Sequence, residues 1–348
     1  MPANTFTSTL NFTAARTAMA AVALSLAFAL SAAGATATLY TKGIFATPEP
    51  TFGGPGETIV SQPGGGIYHG THFWLADGIS GFVRLNVPIL PGQATQSYEG
   101  YFGGGSYGQV AYDAVNDAIY VADQSSRNSV GIVRLSFAPN EQVSNACFLA
   151  RSLGGRRPSA VALGPDGNVY VGFLTSGDIV KLPISALAPA PACPAPPAVI
   201  TIGKSVKGGR VNGLSFVGSD LYIAGKDGLT RIANAASCAG GCVSQTVAGS
   251  AANVGHFGIW SDGADTIYYL RDTNVMVYRV STGVHQILAN SGSLPDGTVT
   301  SFSFVGGKSN LLSQDAYGNL WVGDDTSDGA GNATGRVWFI SAGQPPLQ

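Results

Sequence analysis

The chain has 348 residues and a formal net charge of −2; 45% of its residues are hydrophobic. Charged residues make up 11%, far below the roughly 25% of typical soluble domains, and 48 glycines are about twice the common share. A surface of Ser, Thr, Asn, Gln and Gly is therefore expected, and with no Lys/Arg run longer than that in GGRR (154–157) the basic face needed by a nucleic-acid partner is excluded.

At the N-terminus, Arg16 precedes an apolar run from about Ala18 to Ala33 with small residues behind it. This is the pattern of a cleaved signal peptide over 1–35, with Ala33-Gly34-Ala35 or Ala35-Thr36-Ala37 as the cleavage site, and a retained anchor is the competing reading. No basic stop-transfer cluster follows and no later segment is apolar enough to span a bilayer. The mature chain is thus expected to be secreted or periplasmic, with no membrane span after cleavage. Four cysteines, Cys147, Cys193, Cys238 and Cys242, suit structural disulfides in an oxidising compartment. Pairing Cys238 with Cys242 would pin a local turn and leave Cys147 for Cys193, one of three possible connectivities.

From residue 73 onwards a short pattern returns: FWLAD (73–77), AIYVADQ (118–124), VYVGF (169–173), LYIAG (221–225), IYYLR (267–271) and LWVGD (320–324). Its aromatics, Trp74, Tyr120, Tyr170, Tyr222, Tyr268 and Trp321, are 46, 50, 52, 46 and 53 residues apart. Around each lie short β-rich runs separated by Gly, Asp, Asn or Ser turns, and four strands at this period make a propeller blade. The expected fold is all-β: one six-bladed β-propeller of four-stranded antiparallel blades over 38–342. Approximate blades are 60–104, 105–156, 157–208, 209–252, 253–296 and 297–342. The aromatic of each second strand is expected to wedge between neighbouring blades. The last copy lacks an outermost strand, so TLYTKGIF (38–45) is expected to pair beside RVWFIS and remove two exposed edges. TVTSFSFVGG (298–307) reads either as an extra strand or as the first strand of the last blade.

These repeats resemble NHL-type six-bladed propellers over about 60–342, best in IYVADQSSRNSVGIVRLSF and PSAVALGPDGNVYVGFLTSGDIVKL. The related gluconolactonase and strictosidine-synthase-like families share this grammar, and VNGLSFVGSDLYIAG is similar to their Asn-Gly strand. That resemblance implies a channel metal held by a Glu of the first innermost strand, Asn side chains and an Asp. Here PGGGIYHGTHF has no Glu at that place; Asn212 matches, and Asp262 or Asp166 would have to serve from turns.

Strand polarity puts the loops entering the innermost strands and those leaving the second strands on one face, the top. Tyr107, Gln109, Arg157, Ser159, Arg210, Asn212 and His256 gather there around the channel mouth, with Phe257 and Tyr107 as contact area. Arg157 and Arg210 occupy the same position in adjacent copies and are suited to grip a carboxylate or phosphate, or each to pair with a loop Asp or carbonyl. Asp77 and Asp123 are read as turn devices accepting backbone N–H groups of the turn that follows. In the last copy Asp324, Asp325, Asp328 and Asn332 form an oxygen-rich loop suited to Ca²⁺, the one cofactor suggested, although Gly335 stands where an EF-type loop needs an acid. The function expected is a monomeric, non-catalytic binding platform for an exported protein, an envelope component or a small anionic ligand. A metal-dependent lactonase or hydrolase, or a structural part of an envelope or redox assembly, are the alternatives.

Overall fold

Short apolar runs between Gly-, Asp- and Asn-bearing turns build strands and little else. The computed structural model describes residues 35–42, 62–70, 72–77, 81–86, 98–102, 107–124, 131–139, 141, 143–149, 156–183, 199–205, 209–249, 256–293, 296–304, 310–315, 317–327 and 333–341. Strand β1 (Ala35–Lys42) is followed by four blades of four strands each. These are β2 (Pro63–His69), β3 (His72–Asp77), β4 (Gly81–Asn86) and β5 (Tyr98–Phe102); then β6 (Tyr107–Asp113), β7 (Ala118–Asp123), β8 (Gly131–Phe137) and β9 (Val143–Phe148). The third comprises β10 (Pro158–Leu163), β11 (Val169–Phe173), β12 (Asp178–Leu182) and β13 (Ile200–Lys204). The fourth comprises β14 (Val211–Val217), β15 (Asp220–Gly225), β16 (Gly228–Ile232) and β17 (Ser244–Gly249). Within each, consecutive strands pair antiparallel.

A nine-stranded sheet holds the remainder: β18 (His256–Ser261), β19 (Thr266–Arg271), β20 (Asn274–Arg279), β21 (Val284–Ser293), β22 (Val299–Ser301), β23 (Leu312–Gln314), β24 (Leu320–Ser327), β25 (Ala333–Ile340) and β1. Among the described residues the sheets therefore number five, not the six expected. The reason is β1. It pairs antiparallel with β25, as the sequence suggested (Thr38↔Phe339, Leu39↔Trp338), and its other edge pairs parallel with β21 (Thr36↔Ser291), fusing two four-stranded runs. The 298–307 segment supplies the extra strand β22 on β21, and Leu312–Gln314 is the innermost strand of the last run.

The recurring aromatics occupy the expected places. Trp74, Tyr120, Tyr170, Tyr222, Tyr268 and Trp321 are all buried, and each packs onto the unit that follows. Tyr120 joins Val161, Val171 and Phe173 of the next blade, Tyr170 joins Leu214 and Phe216, and Tyr222 joins Ile259, Ile267 and Tyr269. Tyr268 packs with Leu312, Val322 and Trp338, while Trp321 stacks on Phe73 at 5.2 Å and lies 5.3 Å from Tyr68. Burying one such ring contributes about 1.5–3 kcal/mol, so the contacts between units carry much of the fold.

Turns between first and second strands are built by carboxylates. Asp262 accepts from the backbone N–H groups of Ala264, Asp265 and Thr266, each at 2.9 Å, and Asp113 and Asp315 hold equivalent turns. Such an acceptor fixes the hairpin and spares backbone donors from going unpaired.

Burial pushes the Tyr268 and Tyr269 hydroxyls up to about 12 and raises Tyr120, Tyr170 and Tyr222 as well. A phenol that ionises less readily folded than unfolded stabilises fully below the unfolded value of about 10 and loses that contribution as pH rises through the folded value. Thermal melts across the alkaline range are expected to show Tm falling above about pH 10, with phenolate absorbance rising together with unfolding. Complete phenolate formation near pH 10 in a protein that stays folded would contradict this packing.

Candidate functional site

Side chains from all six innermost strands, β2, β6, β10, β14, β18 and β23, line one central cavity of about 520 Å³. It lies towards the ends of these strands, bounded by the turns at Gly164, Gly218 and Gly263, with Gln109 at its inner limit. This is the face opposite to the one on which the sequence expectation centred.

Most of the wall is apolar, with Leu163, Leu214, Phe216 and Ile259 contributing and the half-buried indole of Trp260 facing the same space. The polar groups form a directed chain. The Ser215 hydroxyl donates to Ser261 Oγ at 2.9 Å, and the Ser261 hydroxyl donates to Phe216 O at 2.5 Å. Both hydroxyl protons are thereby spent, leaving acceptor lone pairs on Ser215 Oγ. Gln109 is likewise committed: its Oε1 accepts from Val161 N (3.2 Å) and Leu214 N (2.8 Å), and its Nε2 donates to Leu214 O (2.7 Å) and Ile259 O (3.3 Å). Asp262 stands exposed at the mouth as the lining's carboxylate, and no Lys or Arg lines the cavity among the described residues. Burial works to raise the Asp262 carboxyl, but the N–H groups of Thr266, Ala264 and Asp265 outweigh it and hold it below the ordinary carboxylate value.

The residues singled out in the sequence divide between channel, core and surface. Ser159 is buried, its hydroxyl donating to Val211 O of the following blade. Asn212 is buried at a bulge in β14. Tyr107 and Phe257 are core residues rather than exposed contact area: Tyr107 packs with Trp74 and Phe82, Phe257 with Leu270 and Phe302. Arg157 and Arg210 are exposed, and their carbonyls accept equivalent bonds from Leu174 N (2.9 Å) and Lys226 N (3.0 Å). Neighbouring Arg156 makes the ion pair, with Asp178 at 3.0 Å, while its guanidinium covers the Phe173 ring. His256 begins β18; its side chain lies outside the described residues. Asp166 is committed to a structural cluster with Lys181 (2.7 Å), Asn168 and the Tyr170 hydroxyl; burial favours its neutral form, but these partners hold the carboxyl below its ordinary value.

Asp324 is fully buried, accepting from Ser303 N (3.0 Å), Trp338 Nε1 (3.0 Å) and the Arg336 guanidinium. Burial nevertheless raises its carboxyl above the ordinary value. Its oxygens are turned inward, and residues 324–327 are paired strand rather than a wrapped loop (Asp325↔Gly335, Thr326↔Thr334). Asp328 and Asn332 lie outside the described residues. Asp77 behaves like Asp324: it accepts from Gln62 N (2.8 Å), ahead of β2, so the described partner precedes the innermost strand instead of lying in the following turn. Cys238 and Cys242 form a disulfide; Cys147, within β9, is also disulfide-bonded, and Cys193 lies outside the described residues.

A channel metal of the kind the family resemblance implies does not fit these residues. Gln109 fills the inner limit of the cavity with its amide already saturated, and among the described residues no three His, Cys, Asp or Glu side chains converge.

The family model for the strictosidine synthase-like N-terminal domain matches residues 136–182, from the end of β8 through β12. Comparison with curated proteins finds no match. Among solved structures, an auxiliary nutrient binding protein from Bacteroides thetaiotaomicron aligns with a TM-score of 0.55 at 10% identity, over 88% of this chain and 76% of that one. Regucalcin, a calcium-binding protein from Agrobacterium tumefaciens, gives 0.50 at 12% identity over 91% and 100%. The PQQ-bound aldose sugar dehydrogenase from Streptomyces coelicolor gives 0.50 at 14% over 86% and 99%. The family match is confined to parts of two neighbouring blades, and at these identities the structural likeness is one of fold, a β-propeller.

Replacing Asp324 by Ala would strand the partly buried Arg336 guanidinium and the buried Trp338 N–H. A loss of about 3–5 kcal/mol in urea unfolding is expected. A loss below about 1 kcal/mol would mean that Arg336 is solvated as a surface pair.

Proposed function

We propose that the chain is an exported, monomeric, non-catalytic β-propeller that binds a small molecule in its central cavity. Export is supported by the leader pattern over residues 1–35 and by disulfide bonding of Cys147, Cys238 and Cys242. Among the described residues no helix is long and apolar enough to cross a membrane. Six blades closed by β1 are the reading supported by six aromatic contacts, the last from Trp321 back to Phe73, and by Asn310 and Leu311 N–H groups on Pro63 O. The nine-stranded sheet then counts as two blades that share β1.

One observation carries the ligand class: the hydroxyl protons of Ser215 and Ser261 and the amide protons of Gln109 are spent within the protein, and no cationic side chain lines the cavity among the described residues. An anion would meet Asp262 and a row of oxygen acceptors at the price of its own desolvation. A neutral, largely apolar molecule that donates hydrogen bonds meets Ser215 Oγ on a wall of Leu, Phe and Trp. The volume is within the usual range for small-molecule sites.

Calorimetric titration with 4-propylphenol and with 4-propylbenzoate tests this, because the two share a body and differ in donor against anion. The phenol is expected to bind, shift the Trp260 emission and lose affinity roughly five- to tenfold in Ser215→Ala, the scale of one hydrogen bond. Preferential binding of the benzoate, abolished by Arg157→Ala/Arg210→Ala, would move the site to the opposite face and overturn the proposal.

A further inference from the structure

The innermost strands share an irregularity. Register shifts interrupt β2 between Pro63 and Gly65, β6 between Tyr107 and Val110, β10 between Pro158 and Ala160, β14 between Val211 and Gly213, and β18 between Phe257 and Ile259. Bulges at one height in five strands turn backbone N–H and C=O groups away from their ladders. Groups released in this way towards a buried axis need partners.

Gln109 sits in the β6 bulge and supplies partners at the end of the β18 shift and just past the shifts of β10 and β14. Its carboxamide reaches β10, β14 and β18 through four hydrogen bonds, the full capacity of an amide. Bonding to strands two and three units further along carries the side chain across the channel. The approach is set by glycine on both sides: a Cβ on Gly65 would come 2.7–2.9 Å from Gly108 O, Val110 N and Gln109 Cα, and one on Gly108 would lie 2.3 Å from Ser159 O. Gly65 of β2 and Gly108 of β6 itself thus let the β6 backbone lie close against β2 on one side and against Ser159 of β10 on the other, which fixes where the Gln109 side chain leaves the strand.

We propose that Gln109 is a resident plug that seals the cavity from the arginine-bearing face and determines how deep a ligand can sit. The cavity is then blind, with one mouth at the Asp262 end, and its floor offers a ligand neither a free donor nor a free acceptor. The plug holds whatever occupies the cavity, so it stands apart from the ligand class proposed above.

Residue-resolved amide exchange on the full mature chain tests it, comparing wild type with Gln109→Ala. The Val161 and Leu214 amides are expected to exchange roughly five- to tenfold faster in the variant, the scale of one lost hydrogen bond, while amides of β8 and β16 keep their rates. Acrylamide quenching of Trp260, the half-buried tryptophan beside three fully buried ones, should rise as a second opening appears. Unchanged rates at Val161 and Leu214, or a uniform rise throughout the chain, would overturn the plug. Should Gln109→Ala not fold, Gln109→Glu decides. Its carboxylate keeps the acceptors but faces the carbonyls of Leu214 and Ile259, which favours the protonated acid. Its folded pKa is then raised, so stability is complete below the unfolded value of about 4.3 and lost as pH rises through the folded value. A Gln109→Glu variant that melts with the wild type at every pH would overturn the proposal. Titration with 4-alkylphenols of increasing tail length adds a functional readout. The plug predicts that affinity stops rising at a shorter tail in wild type than in Gln109→Ala, and an identical limit in both would contradict it. If no alkylphenol binds either protein, the ligand proposal fails while amide exchange still judges the plug.

Discussion

A propeller converges its innermost strands on an axis where backbone polar groups have lost their ladder partners and have little access to water. That requirement orders the centre of this molecule. Gln109 answers it for β10, β14 and β18, Ser159 for Val211, and Ser261 for Phe216. The Gln109 carboxamide occupies the inner limit of the cavity. Towards the ends of the innermost strands the turn carboxylates satisfy their own hairpins, and the 520 Å³ cavity lies there. The distribution of donors in the cavity is a by-product of the same accounting: what the backbone took, a ligand cannot have.

The contacts between units supply the stability that this centre lacks. Each second-strand aromatic lies under the next unit, so no four-stranded sheet buries both faces alone and each depends on its neighbour. Between the last unit and the first, the stacking of Trp321 on Phe73 plays the same part. A rigid scaffold with an apolar centre accommodates a surface poor in charge, since neither folding nor the proposed binding depends on exposed ion pairs.

Much of this scaffold was legible in the residues. A β-prone pair around Trp or Tyr, followed by a turn signal, survives translation into structure because the aromatic's burial depends on local alternation and a repeated neighbour. The unpaired edge of RVWFIS was likewise visible, although not that β1 would use its second edge on β21. The channel was less legible for a physical reason: one extra residue in a bulge reverses the face on which every later side chain falls. Strict alternation therefore brought Tyr107 and Phe257 to the surface when they belong to the core, and gave Gln109 to the channel mouth without its partners 105 and 150 residues away. Ser215, Ser261 and Trp260 escaped notice because each is bland alone. The available signal was a serine within LSFV and another within IWSD, at neighbouring places in adjacent copies. Asp324 showed the opposite failure: an acidic loop looked like a cation site, while Arg336 and Trp338 in the facing strand were already its partners.

The central claim is that the molecule's binding space lies between Gln109 and Trp260 on the face away from Arg157 and Arg210. The most direct measurement is a crystal structure of the mature chain soaked with 4-propylphenol. The account predicts density against the Trp260 indole, with the phenol oxygen within hydrogen-bond distance of Ser215 Oγ and an undisturbed Gln109 amide beneath it. Density at the arginine-bearing face, or on the axis in place of the Gln109 carboxamide, would contradict it.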